Sequence, residues 1–146
     1  MDLSFERRLV TDLRDIVALA DDVARWGEAA GLAEATVFQV NLVLDELITN
    51  VIMHGLGVGQ PGCIVVRMER AGDVLDIVLI DDARPFDPFS IAPPDLTADI
   101  ERRPVGGLGV HLVRTLMDAW HYARMDGRNF VSLRKHLFAR QSSDCP

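Results

Sequence analysis

"LVLDELITNVIMHG" (residues 42–55) reads as the middle of an apolar helix, yet it carries Asp45, Glu46, Thr49, Asn50 and His54. Glu46 and Asn50 stand one helical turn apart, so both project from one face, and His54 continues the stripe. Val40, Val43, Leu44, Leu47 and Val51 supply a neighbouring apolar face. A carboxylate placed this way can activate a hydroxyl or a water, and an amide oxygen can ligate Mg²⁺. A polar stripe looking at water has the same spacing, so the helix alone leaves both readings open.

Outward from this stretch, the helix is expected to run from about Ala33 to His54, with Gly55, Gly57 and Gly59 ending it. Upstream, residues 3–10 alternate loosely as a strand. Thr11 is placed to cap the next helix, with Asp12 and Asp15 near its positive end. Leu13, Ile16, Val17, Ala20, Val23 and Ala24 recur there at helical spacing, and Gly31 marks its end. Downstream the period changes. "CIVVRMER" (63–70) and "VLDIVLIDD" (74–82) are β-rich runs joined by "AGD", a hairpin signal. The stretch 83–107 is rich in proline and charge and has no helical or strand period, which suits a lid or binding loop. "LGVHLVRTLMDAW" (108–120) reads as a helix, and "HYARMD" and "NFVSLRKHL" around Gly127 as a closing hairpin. This order predicts one mixed or antiparallel sheet with helices on one face, an α+β two-layer sandwich. Residues 1–140 are expected to form a single domain and 141–146 a flexible tail.

The whole chain sets bounds on partners. It has 146 residues and a formal net charge of -7, so its surface repels phosphate backbones and speaks against a basic nucleic-acid face. A local basic pocket remains compatible with that charge. Cys63 and Cys145 lie far apart and read as free thiols in a reducing compartment. No signal peptide stands at the N-terminus, and no run is read as approaching the ~20 apolar residues of a membrane span. A cytoplasmic location is therefore expected, with no membrane contact.

Two further motifs carry chemistry. "IDDARPFDP" (80–88) puts carboxylates at the end of an apolar strand, where they can accept hydrogen bonds from a ligand amine or simply form a solvated turn. In "PVGGLGVHL" (104–112), Gly106, Gly107 and Gly109, with Leu108 between them, lead into a helix. Backbone N–H groups exposed there form an anion site together with the helix dipole. No Gly-Lys-Ser/Thr follows, and no βαβ unit surrounds the glycines, so neither a Walker loop nor a dinucleotide fingerprint is present. The four histidines, His54, His111, His121 and His136, show no metal-ligand spacing; His54 and His111 read as pocket-rim or structural. Trp26, Trp120 and Tyr122 read as packing residues. "ERR" (101–103) is a solvated lid segment, from which Arg102 or Arg103 is also in range of a phosphate.

Taken together, Glu-x-x-x-Asn on a helix, Asp at a strand end, a long lid and Gly-Gly-x-Gly opening a helix resemble the ATP-binding domain of gyrases, heat-shock protein 90, histidine kinases and MutL (the GHKL superfamily). Within it the chain looks most like the stand-alone anti-sigma serine kinases of the RsbW type. "DELITNVIMHG" is similar to their first box and "GGLGVHLVRTLMD" to their last, and the likeness covers roughly residues 5–138. The resemblance implies a Bergerat-type fold, ATP and Mg²⁺ as cofactors, and kinase activity on a small anti-anti-sigma (STAS-like) antagonist. It also implies a sigma factor or equivalent regulator as partner, and a homodimer. By the same resemblance Glu46 is the general base and Asn50 holds Mg²⁺ and through it the phosphates. Asp81 accepts the adenine amine, and Gly106, Gly107, Leu108 and Gly109 bind ATP phosphates and hinge the lid.

The chain departs from the family at two places. Ala83 stands where the family's Asp-x-Gly has glycine, so a methyl there is expected to crowd the base or shift the turn if φ is positive. By position Phe130 replaces a threonine often found near adenine, with Ser132 nearby. Ala83 keeps alive an alternative, a non-catalytic nucleotide-binding module that sequesters a sigma factor or other regulator. A detached fragment of a histidine kinase fits less well, because the chain reads as one complete domain.

Overall fold

The computed structural model describes residues 3–57, 59–90 and 107–138. Within them run β1 (Ser4–Val10), α1 (Leu13–Ala29), α2 (Glu34–Asn50), β2 (Cys63–Ala71), β3 (Val74–Asp81), α3 (Gly107–Leu116), β4 (Ala119–Met125) and β5 (Arg128–His136). The strands form one sheet in the order β1-β2-β3-β5-β4, and every neighbouring pair is antiparallel. This is the expected α+β sandwich. Most of the expected lid, residues 91–106 with Gly106 and the "ERR" segment, lies outside the described residues, as do the tail and Cys145.

Alternation along the strands explains the two layers. Register places Phe5, Met68, Ile77, Leu133 and Trp120 in one cross-sheet row and Arg7, Val66, Leu79, Val131 and Tyr122 in the next. A third row, Leu9, Ile64, Asp81, Asn129 and Arg124, closes that end of the sheet. The central members of the first two rows are core residues, packed with Val40, Val43, Leu44, Leu47 and Ile48 of α2 and Leu19, Val23 and Trp26 of α1. The opposite face is mixed, with Val65, Val78, Ile80 and Phe130 among its polar residues, and carries two exposed cross-strand ion pairs, Glu6–Arg67 and Asp76–Arg134. Such pairs contribute little each. In the first two rows Arg7 is the charged exception to apolar filling. It reaches α1 and pairs with Asp15 and Asp22, which ties the edge strand to the helix.

Several boundaries differ from the sequence expectation. Asp12, not Thr11, caps α1: its carboxylate accepts from the Arg14 N–H at 2.8 Å, while the Thr11 hydroxyl donates to the Gln60 carbonyl. The second helix continues past His54, but as a wider π-turn over Val51–Leu56, ended by Gly57 at φ 93. Only a residue without Cβ takes that angle easily. The third helix stops at Leu116 because Ala119 and Trp120 are claimed by β4. The turn into β5 uses Asp126 and Gly127, both at positive φ, as a tight hairpin requires.

The unbroken helical run Glu34–Leu56, 23 residues with hydropathy 1.3, is in fact long and apolar enough to meet a length-and-composition test for a membrane span. That corrects the expectation of no such run. Its apolar side is the one that covers the sheet, and Val40, Val43, Leu44, Leu47 and Ile48 are buried there.

Ile77 sits at the middle of the sheet with 0% exposure. Ile77→Ala should lower unfolding free energy by about 2–5 kcal/mol, read from urea midpoints, because the surrounding strands and α2 collapse only partly onto the cavity.

Candidate functional site

The buried end of the sheet meets the C-terminal part of α2. Leu47, Asn50, Val51 and Gly55 from that helix, Leu79 and Asp81 from β3, Phe86 and Pro88 from the following loop, and Asn129 and Val131 from β5 line one cavity. Its volume is about 10 Å³, room for roughly one water. A purine base fits only after a wall moves. Of the lining residues, Phe86 and Pro88 are those contributed by the loop that leaves the sheet after β3. Phe86 stacks on His54 with ring centroids 5.2 Å apart, and the Arg84 guanidinium donates to the His54 carbonyl at 2.7 Å.

Asp81 is 3% exposed. Its Oδ1 accepts from the Asn129 side-chain amide at 2.9 Å and from the Ala83 N–H at 3.0 Å. No described residue bonds Oδ2. Burial pushes the carboxyl above its ordinary range; the Asn129 and Ala83 hydrogen bonds oppose that, the neighbouring Asp82 charge adds to it, and Arg124 opposes it. Asp82 points elsewhere: it is exposed and accepts from the Cys63 N–H at 3.1 Å. The acid that faces the cavity is therefore Asp81.

Asn50 is 4% exposed, lines the cavity and leaves its Nδ2 buried without a partner. A buried amide without a partner is costly, and its place on the cavity wall fits a bound polar group. Glu46, one turn earlier, is half-buried and makes no hydrogen bond or ion pair among the described residues. It does not line the cavity. Gly107 opens α3, with Leu108 and Gly109 in its first turn. His54 reaches the cavity edge through Phe86, and His111 lies in α3.

Ala83 does not behave as expected. It is absent from the positive-φ residues, and it is buried at 4% exposure among core residues. Its methyl fills the place left open at Gly55, where an added Cβ would stand 2.8 Å from the Ala83 Cβ. The second departure is corrected by one residue. Phe130 pairs with Ile80 and Ala123 on the sheet face away from the helices, and Asn129 is the residue opposite Asp81. Asn129 and its neighbours Tyr122 and Arg124 went unrecognised in the sequence. The available signal was period two: Val131 and Leu133 are the buried phase of β5, and Asn129 shares it. Tyr122, read as packing alone, also donates its hydroxyl to Asn129 Oδ1 at 2.6 Å.

Residues 9–135 match the family described as histidine kinase-like ATPase domain. Over 121 residues the chain is 28% identical to the serine/threonine-protein kinase BtrW of Bordetella bronchiseptica, a match covering 80% of this chain and 85% of that one. It is 31% identical over 93 residues to the serine-protein kinase RsbW of Listeria monocytogenes, spanning 61% of this chain but only 59% of RsbW. Among solved structures, the RsbU and RsbW domains of Rv1364c from Mycobacterium tuberculosis superpose with a TM-score of 0.65 at 15% identity, over 92% of this chain and 32% of that one. At that identity the likeness shows the fold.

Two outcomes follow from the geometry. A raised carboxyl pKa in the folded state favours the neutral acid. Asp81 therefore supports stability at low pH and loses that support as pH rises through its folded pKa. Asp81→Asn cannot ionise, so its denaturant midpoint relative to the parent should climb as pH rises above the ordinary carboxylate range and through the raised Asp81 pKa; a flat difference would show that burial does not govern this group. Separately, Gly55→Ala should cost about 1–3 kcal/mol by urea denaturation, because the methyl of Ala83 is anchored to backbone and cannot swing aside. Adding Ala83→Gly should recover most of the loss.

Proposed function

Since the chain belongs to the histidine kinase-like ATPase family, we propose that it is an ATP- and Mg²⁺-dependent protein serine kinase of the RsbW type. It phosphorylates a small anti-anti-sigma (STAS-like) antagonist on serine and, in the other state of the switch, holds a sigma factor or equivalent regulator. The observation that carries this reading is the buried Asp81 carboxylate with one oxygen unbonded, in a cavity shared with the unpartnered Asn50 amide. Membership of the histidine kinase-like ATPase family supports ATP binding, and the names of the relatives BtrW and RsbW, serine/threonine- and serine-protein kinases, support the kinase reading. The antagonist, the regulator, a homodimer and a cytoplasmic location are further parts of the proposal.

The residues divide the work. Asp81 accepts the exocyclic amine of adenine, which selects the base. Asn50 presents its amide oxygen to Mg²⁺ and so to the phosphates. The first turn of α3, with Gly107, Leu108 and Gly109, offers its N–H groups and the positive end of a helix dipole to the phosphate oxygens, and Gly106, outside the described residues, is assigned to the same phosphate site. Glu46 takes the proton of the incoming serine hydroxyl. Bound Mg-ATP supplies the phosphoryl group and the charge neutralisation that transfer needs. The methyl of Ala83 lies against Gly55, a place that keeps it off the cavity wall. That supports the catalytic reading over a binding module with a crowded pocket.

Thermal unfolding with nucleotide and then with a serine-bearing antagonist tests the proposal. A ligand at a hundredfold over its dissociation constant adds about 2.7 kcal/mol, so Mg-ATP should raise the melting temperature and chelation should reduce the shift. Glu46→Gln should keep that shift while phosphorylation of the antagonist falls by about 10²- to 10⁴-fold. No shift with any nucleotide would remove the pocket from the proposal. A shift without phosphorylation in the parent chain would leave a non-catalytic binding module.

A further inference from the structure

Asn129 is the most heavily bonded side chain at the cavity. It is 2% exposed, and its partners fix its orientation without ambiguity. Arg124 Nη1 and the Phe86 N–H are donors only, at 3.1 and 3.4 Å, so the atom facing them is Oδ1. The Arg84 carbonyl is an acceptor only, at 2.9 Å, so the atom facing it is Nδ2. With that orientation the second Nδ2 hydrogen points at Asp81 Oδ1, at 2.9 Å. The Tyr122 hydroxyl completes the set at 2.6 Å on Oδ1.

Counting valences gives the role. Both hydrogens of Nδ2 are used, and Oδ1 has more donors than lone pairs. Asn129 has no polar capacity left for a ligand. Asp81 differs, since both its bonds fall on one oxygen and Oδ2 is left over. We infer that Asn129 is a positioning residue for base recognition: anchored by Tyr122 and Arg124, it grips one oxygen of Asp81 and thereby presents the other to the exocyclic amine of a purine. It acts through Asp81 and does not itself touch the base. The inference rests on the nucleotide reading above and adds to it which residues set base selectivity.

Register makes the arrangement robust. Arg124, Asn129 and Asp81 are directly opposite one another across β4, β5 and β3. Arg124 also holds the Ala83 carbonyl at 2.7 Å, so the turn after β3 is fastened to the same row. Tyr122 stands one row further in, close enough to buttress the amide from the side.

The test compares ATP with purine riboside triphosphate, which has the same shape but no exocyclic amine, each with Mg²⁺, by calorimetric titration. A hydrogen bond to a charged acceptor corresponds to roughly 10- to 100-fold in affinity, so the parent chain should prefer ATP by that factor. In Asn129→Leu, nearly isosteric but without the amide, the preference should fall to within about threefold of unity. Affinity for the amine-less analogue should stay close to the parent value. Tyr122→Phe removes a single oxygen and should give an intermediate preference, which keeps the inference testable if the leucine variant does not fold. Two results would overturn it: a full ATP preference in both variants, or an equal loss of affinity for both nucleotides, which marks general damage to the pocket. A parent chain that binds ATP without preferring it also overturns the inference while leaving the nucleotide site standing. A parent chain that binds neither removes both.

Discussion

Taking a carboxylate out of water costs several kcal/mol unless its lone pairs are met. At Asp81 that cost shapes everything around the end of the sheet. The Ala83 N–H turns back to meet Oδ1, and this fixes the turn leaving β3. The Asn129 amide meets the same oxygen, and this requires β5 to lie beside β3 in one register. Sliding β5 by one residue would put Phe130 opposite Asp81 and turn Val131 and Leu133 to the other face. The buried acid and the apolar core therefore demand the same strand alignment. The helix layer closes the site from above, because Leu47 and Val51 of the α2 run pack where water would otherwise solvate the acid.

Asn50 is the counterpart on the helix side. Its neighbours Leu47, Ile48 and Val51 are buried for packing, and the Asn50 Nδ2 is carried into the same environment without a partner among the described residues. A helix selected for stability alone would place an aliphatic residue there. Asp81 is half satisfied and Asn50 is unsatisfied, and they share one cavity wall. The fold thus brings two sources of unmet polar capacity together at one cavity.

Much of this was legible in the sequence, for a physical reason. Periodicity separates helix from strand wherever one face is buried, and the α2 run, β2 and β3 are strongly one-sided. The spacing of Glu46 and Asn50 and the acid at the end of β3 are local facts, readable without tertiary knowledge. What escaped depends on pairing between distant strands. Asn129 gains its meaning from standing opposite Asp81, and a one-residue error in aligning the last strand assigned its place to Phe130. Ala83 was judged by the backbone angle a glycine often marks. Its fit depends instead on Gly55, far earlier in the chain. The helix ends were misplaced where a competing partner decides them: Asp12 outcompetes Thr11 as a cap because Thr11 is drawn to Gln60, and β4 takes Ala119 and Trp120 from α3.

The narrow cavity is consistent with this division between fixed and yielding parts. Asn129 holds Asp81 and the Arg84 carbonyl at 2.9 Å, but its bond from the Phe86 N–H is 3.4 Å long, near the limit at which a hydrogen bond counts. The Phe86 ring is held otherwise by its stack on His54, an interaction worth about 1 kcal/mol beyond burial. Phe86 can therefore withdraw while the grip on Asp81 stays in place. On the proposed nucleotide reading, a base entering the cavity would replace an aromatic ring with an aromatic ring and leave the acid already oriented. On that reading the base-facing acid is held by the shorter bonds, and the wall that would give way is tied by the longer one.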